Sequence, residues 1–298
     1  MMNVQCGTLD YGGWPNCVRM TDGRTELIIT TDVGPRIIRY GMIGGKNMLK
    51  EYPEQMGLRG GKTWRSYGGH RLWLAPENAR TTYLPDNEAV TWSWKKGHLI
   101  ARQTAYPGHG IAKEINLSYG ADGGVHLRHR LINTHVKKVT LAPWALTIMA
   151  PGGEAVFPHE PFMAHPEGLL PVRPLVLWPY TDMGDSRWTW GKKTIRLRQD
   201  PLKKEPQKIG VLSTRGWMAY INDGMMFIKH HDYKPGATYP DFGCNVETFV
   251  NGDMLELETL GPLVDLLPGA STEHAETWYL RPHRGRISDT SLTALASH

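Results

Sequence analysis

The sequence predicts an all-β protein built from two large antiparallel sheets packed as an extended sandwich, and three observations carry that expectation. Short β-prone runs recur along the chain, turn signals separate them, and no segment sustains the apolar period of a helix. Gly 33 and Pro 21 in 298 residues supply the turns. All-β units often reach this length undivided, so residues 1–298 are read as one domain, with a split near residue 155 as the competing division.

Composition narrows the function classes. The formal charge of +5 comes from 34 basic and 29 acidic side chains. The pairs Lys95–Lys96, Lys137–Lys138, Lys192–Lys193 and Lys203–Lys204 are scattered beside turn signals, which fits solvated hairpin tips and no nucleic-acid partner. Cys6, Cys17 and Cys244 are odd in number and lack a CxxC spacing, which fits a reducing, cytoplasmic setting and argues against a thiolate zinc cluster. No basic-then-apolar leader and no 18-residue apolar run is present, so neither export nor a membrane span is expected. Trp 11 and Tyr 12 against Phe 5 favours aromatics with a polar edge, the kind that line wet clefts.

In chain order, residues 1–24 read as a hairpin-like lead-in, followed by strands over Glu26 to Thr31 and Arg36 to Tyr40. Residues 88–150 read as successive hairpins separated by the Lys96-Gly97, Pro107-Gly108, Asp122-Gly123-Gly124 and Lys137-Lys138 turns. Seven prolines from Pro151 to Pro179 make 151–190 a long loop beside the cleft, since such loops commonly wall a site on a β scaffold. Strands resume at Ile209 to Leu212 and continue to Tyr279, with Asn251-Gly252 pairing the strand of Glu247 with that of Glu256 and Glu258.

Two stretches carry chemistry. In Leu255-Glu256-Leu257-Glu258 the period of two puts both carboxylates on one sheet face, about 7 Å apart, and Glu247 can join them from the neighbouring strand. In residues 62–86, Gly68-Gly69 precedes His70-Arg71-Leu72-Trp73, with Glu77 close behind. Paired glycines let backbone approach a ligand, and an imidazole, a guanidinium and an indole suit a sugar ring and its hydroxyls. The competing reading buries Trp73 in the core and pairs Arg71 with a carboxylate. His159, His165, Trp178 and Trp188 on the long loop complete the candidate binding set. Arg36, Arg65, Arg71 and Arg80 would form a basic patch if the sugar were phosphorylated. No metal and no cofactor is expected. A hard cation on Glu247, Glu256 and Glu258 lacks an Asp-rich loop, and zinc on His159 and His165 would need Glu160 or Glu77.

Glu256-Leu257-Glu258-Thr259, Asp265, Leu267-Pro268-Gly269, His274 and Trp278-Tyr279 together resemble the C-terminal signature of the aldose 1-epimerases and their galactose mutarotase-like relatives. Leu27 to Arg39 with Gly45-Lys46-Asn47 is similar to their first hairpin, and Gly-Gly-His-Arg-Leu-Trp with Ala-Pro-Glu is similar to an uncharacterised bacterial branch. The resemblance implies a β-supersandwich, a sugar or sugar-derivative substrate, Glu258 as general base and Arg71 as a substrate-binding residue. It also implies a histidine acid in a central strand, yet no histidine occurs between His135 and His159. His70 is the first replacement expected, before His159, His165 and His231. The implied activity is interconversion of the anomers of an aldose, which needs a base at the anomeric hydroxyl and an acid at the ring oxygen. Noncatalytic sugar recognition and cleavage of uronate-containing glycans are the alternatives.

Overall fold

The structure is a computed structural model that describes residues 4–106 and 110–283. The expected Pro107-Gly108 turn and the first three residues of the lead-in lie outside the described residues. Two sheets account for nearly all the regular structure. The first has eleven strands and runs in the order Gln5–Tyr11, Trp14–Thr21, Thr25–Thr30, Arg36–Met42, His70–Ala75, Val139–Met149, Leu255–Leu260, Val246–Val250, Gln207–Val211, Leu175–Leu177, with Val264–Leu266 also paired to Val139–Met149. The second has ten: Trp188–Trp190, Thr194–Arg198, Glu154–Pro158, Trp217–Asn222, Met225–His231, Ser271–Pro282, Val125–Asn133, Ile111–Tyr119, His98–Gln103, Thr91–Lys95. The one helical turn among the described residues is Pro240–Gly243. No described helix is long and apolar enough to cross a membrane.

The main core lies between the sheets and draws on both. Tyr40 of the first sheet meets Phe227 and Trp278 of the second, with ring centroids 5.1–5.9 Å apart. Such aromatic pairs add about 0.5–1.5 kcal/mol each beyond the area they bury. Asn251-Gly252 joins its two strands as expected, although by a four-residue connection: the Asn251 side chain accepts hydrogen bonds from the amides of Asp253 and Met254.

The glycines before His70 serve the fold. A Cβ on Gly68 would lie 2.1 Å from the Lys50 carbonyl oxygen and one on Gly69 2.2 Å from that of Ile37, and both have positive φ. They permit close approach of neighbouring backbone, where the sequence suggested approach of a ligand. Arg36 is likewise used internally, bonded to the Gly68 carbonyl and paired with Asp86 at 2.7 Å, and Arg65 binds the Gly60 carbonyl, so the expected phosphate patch does not assemble.

The inter-sheet core also holds a polar cluster. His129 Nδ1 lies 3.1 Å from the His274 carbonyl oxygen and must donate to it. His129 Nε2 therefore accepts from His70 Nε2 at 2.7 Å, and His70 Nδ1 accepts from the Thr147 hydroxyl at 2.8 Å. Both imidazoles are neutral in this arrangement, and burial pushes both below the usual histidine range. Beside them Glu276 accepts from Lys229 at 3.0 Å, from Trp278 Nε1 at 2.8 Å and from the Thr259 hydroxyl.

Candidate functional site

The outer face of the first sheet carries the other chemistry. Register aligns Arg71, Leu146, Glu258, Glu247 and Gly210 in one row across five adjacent strands, His70–Ala75, Val139–Met149, Leu255–Leu260, Val246–Val250 and Gln207–Val211. A parallel row runs Ile148, Glu256, Phe249, Lys208. Like charges directly opposite, as at Glu247 and Glu258, destabilise a sheet unless something neutralises them. Lys208 does so: its Nζ is 2.9 Å from Glu247 and 3.2 Å from Glu258. Trp144 Nε1 donates to the same Glu258 oxygen at 2.8 Å.

Above these rows lies a cavity of about 150 Å³ lined by Trp64, Arg71, Trp73, Glu77, Tyr83, Trp144, Leu146, Tyr180, Lys208, Phe249, Met254 and Glu256. The cations stack on its aromatic walls. The Arg71 guanidinium is 4.0 Å from the Trp73 ring centre, and the Lys208 ammonium lies 4.8 Å from that of Trp144 and 4.7 Å from that of Trp178. Glycine at position 210 leaves room first for Cys244, whose Sγ a Cβ would meet at 2.5 Å, and then for the Trp178 indole at 3.3 Å. Arg71 Nη2 stands 3.6 Å from Glu256 Oε1, an ion pair too long for a hydrogen bond. Arg71 Nε and Nη1 and Glu256 Oε1 have no hydrogen-bond partner although both residues are more than nine-tenths buried.

Electrostatics separates the three carboxylates. Burial, then the charge of Glu258, raises Glu256 to about 7 against the pull of Arg71 and Lys208. Burial also pushes Glu247 well above the usual carboxylate range. Burial works against the charge of Lys208, but Glu258 and Glu247 outweigh it and hold its pKa well above the ordinary lysine value. Glu258 is fully buried and does not line the cavity; it sits behind Lys208 and Trp144, which do.

The structure thus brings together Arg71, Trp73, Glu77, Glu247, Glu256, Glu258 and Trp178. Glu77 stands at the exposed rim and accepts from the Tyr83 hydroxyl. Other expected residues go elsewhere. His70 neighbours Arg71 in a strand and therefore points to the opposite face, into the inter-sheet cluster. Trp188 belongs to the second sheet and packs in the main core, stacked on Trp190. His159 accepts from Arg173 in a separate surface cavity, and His165 is exposed on the same loop. His231 is buried in the second sheet. The expected loop 151–190 in fact contains three strands, Glu154–Pro158, Leu175–Leu177 and Trp188–Trp190, and only Trp178 and Tyr180 of it reach the site. Lys208 was not anticipated; the one signal was a lysine directly before the apolar run Ile209-Gly210-Val211.

No family model and no curated protein matches the chain in sequence. Solved structures do match in shape. The Slr1438 protein of Synechocystis sp. PCC 6803 superposes with a TM-score of 0.59 at 8% identity, over 93% of this chain and 100% of its own. For a galactose mutarotase-like protein from Lactobacillus casei the values are 0.58, 9%, 89% and 100%. For one from Clostridium acetobutylicum they are 0.53, 8%, 94% and 99%. The fold is the galactose mutarotase-like supersandwich. Within that mutarotase-like frame the central strand Val139–Met149 presents Trp144 and Leu146 to the cavity and no histidine.

Among the described residues, His70, His129 and Glu276 bring ligand atoms within 4.8 Å of one another, close enough in principle for a metal ion. Their fit is poor. The Lys229 ammonium sits 3.0 Å from Glu276, and a proton already bridges the two imidazole Nε2 atoms, so a divalent cation would add uncompensated charge to a dry interior.

Proposed function

We propose that the protein binds a single sugar unit in the cavity and interconverts its anomers by acid–base chemistry. The observation that carries this reading is the set of buried atoms without partners, Arg71 Nε and Nη1 and Glu256 Oε1, on two residues that line an aromatic-walled space. Paired donors and acceptors beside indole faces suit a polyhydroxylated ring. A volume of about 150 Å³ favours one ring over a polymer, which makes glycan cleavage the weaker reading.

Glu256, raised to about 7, is divided between its acid and base forms at neutral pH, as a general base should be. In our assignment its neutral carboxyl gives a proton to the ring oxygen from one oxygen while its other oxygen takes the proton of the anomeric hydroxyl. The C1–O5 bond breaks, a C1 carbonyl forms, and after rotation about C1–C2 the ring closes with both protons returned. Glu258, to which the resemblance gives the base role, instead anchors Lys208 and Trp144 and keeps the ammonium charged. A central strand Val139–Met149 without the histidine acid that the resemblance implies favours a second reading, sugar recognition without turnover.

One-dimensional proton NMR of freshly dissolved pure anomers distinguishes them. Wild type is expected to speed equilibration of at least one aldose, and Glu256→Gln to lose about 10²–10⁴-fold of that rate. Tight binding with every anomer relaxing at its spontaneous rate leaves recognition alone. Full activity in Glu256→Gln together with loss in Glu258→Gln returns the base role to Glu258.

A further inference from the structure

We propose that the sugar this cavity takes carries a protonated amino group, making the ligand an amino aldose. The inference rests on the carbohydrate reading above and concerns the charge that such a ligand must bring. Four carboxylates surround the space: Glu77 at the rim, Glu256 in the wall, Glu247 and Glu258 beneath. Two cations answer them. Lys208 is committed to Glu247 and Glu258 and is caged between two indoles. Arg71 lies flat on Trp73 and approaches Glu256 no closer than 3.6 Å. Glu256, a cavity-lining residue 7% exposed, therefore keeps a buried Oε1 without a donor in the wall.

A ligand ammonium supplies a charged hydrogen-bond donor to the Glu256 carboxylate in the cavity wall, with Glu77 at the rim. The surrounding rings favour it further, since Trp73, Tyr83, Phe249 and Tyr180 present aromatic surface to a cation entering the same space. A phosphate or a uronate would instead place a further negative charge against Glu256 and Glu77. The raised pKa of Glu256 agrees, because the charged groups that act on it are Glu258 and Glu77 on one side and Arg71 and Lys208 on the other, and burial adds to the first pair. A bound ammonium shifts that balance, lowers the Glu256 pKa and drives its proton off.

Isothermal titration at pH 7 tests this with glucosamine, galactosamine and mannosamine, their parent hexoses, their N-acetyl forms and the hexose 6-phosphates. At least one amino sugar is expected to bind tenfold or more tightly than both its parent and its N-acetyl form. Repeating the titration in two buffers of different ionisation heat should reveal net proton release. Glu256→Gln should abolish both the preference and the proton release while still binding the parent hexose. Glu77→Gln, at an exposed rim position that does not threaten folding, should reduce the preference severalfold. Equal binding of amino sugar, parent and N-acetyl form overturns the charge inference and leaves the carbohydrate reading standing. Tighter binding of a 6-phosphate overturns it as well. If folded protein binds no sugar in the panel, the carbohydrate reading itself fails.

Discussion

Replacing Glu276 by Gln is expected to cost about 3–5 kcal/mol, because it leaves the Lys229 ammonium buried between the sheets without its anion. Both side chains are 0% exposed and 3.0 Å apart. Burial alone would raise the Glu276 pKa, but the Lys229 ammonium holds it far below the usual carboxylate range. A depressed folded pKa gives stability that is present above the unfolded value, about 4.3, and is lost as pH falls below it. Wild type should therefore lose stability in urea as pH drops below about 5, and Glu276→Gln should show a flatter acid limb. In the variant the burden moves to Lys229, whose pKa burial already lowers, so its stability should climb with pH as the ammonium is released. The double change Lys229→Met, Glu276→Leu should recover most of the loss, since matched apolar replacement of a buried pair is often neutral or better. A single-variant cost below about 1 kcal/mol would contradict the role assigned to the pair.

Lys208→Met is expected to act on stability and ligand binding together. Without the ammonium, Glu247 and Glu258 face each other across neighbouring strands, both essentially buried, and the cost at pH 7 should again be about 3–5 kcal/mol. Here the sign is opposite to that at Glu276. Buried carboxylates without a cation have folded pKa values above the unfolded one, so the variant is most stable in acid and weakens as pH rises through that window. Thermal melts at pH 5 and pH 8 should show the gap between variant and wild type widening at the higher pH, by on the order of 10 °C. Sugar binding and any anomer interconversion should be lost at both. A variant equally stable at the two values, or one that still binds, would show that Lys208 neither neutralises the carboxylate row nor meets the ligand.

Much of the site was legible where local pattern fixes direction. Alternation along Leu255–Leu260 put Glu256 and Glu258 on one face, and the Asn251-Gly252 connection placed Glu247 opposite Glu258. The same rule of alternation applies to His70 and Arg71. Adjacent residues of a strand cannot both face one cleft, and His70 indeed turns inward to His129 while Arg71 turns outward to Trp73. The glycine pair was legible as a close approach, but whether ligand or backbone approached depended on Lys50 and Ile37, which are distant in sequence and are brought to Gly68 and Gly69 only by strand pairing.

Fold class, strand faces and the acidic row could be read locally, because turn residues and a period of two act over a few neighbouring positions. Long-range packing brought Lys208, fifty residues from Glu258, to neutralise that row, set Trp178 and not Trp188 over it, and made Glu256 the member of Glu247, Glu256 and Glu258 that lines the cavity. These outcomes turn on strand order and on burial, which set the distances and the desolvation felt by each charge, and neither is encoded in any short stretch of the chain.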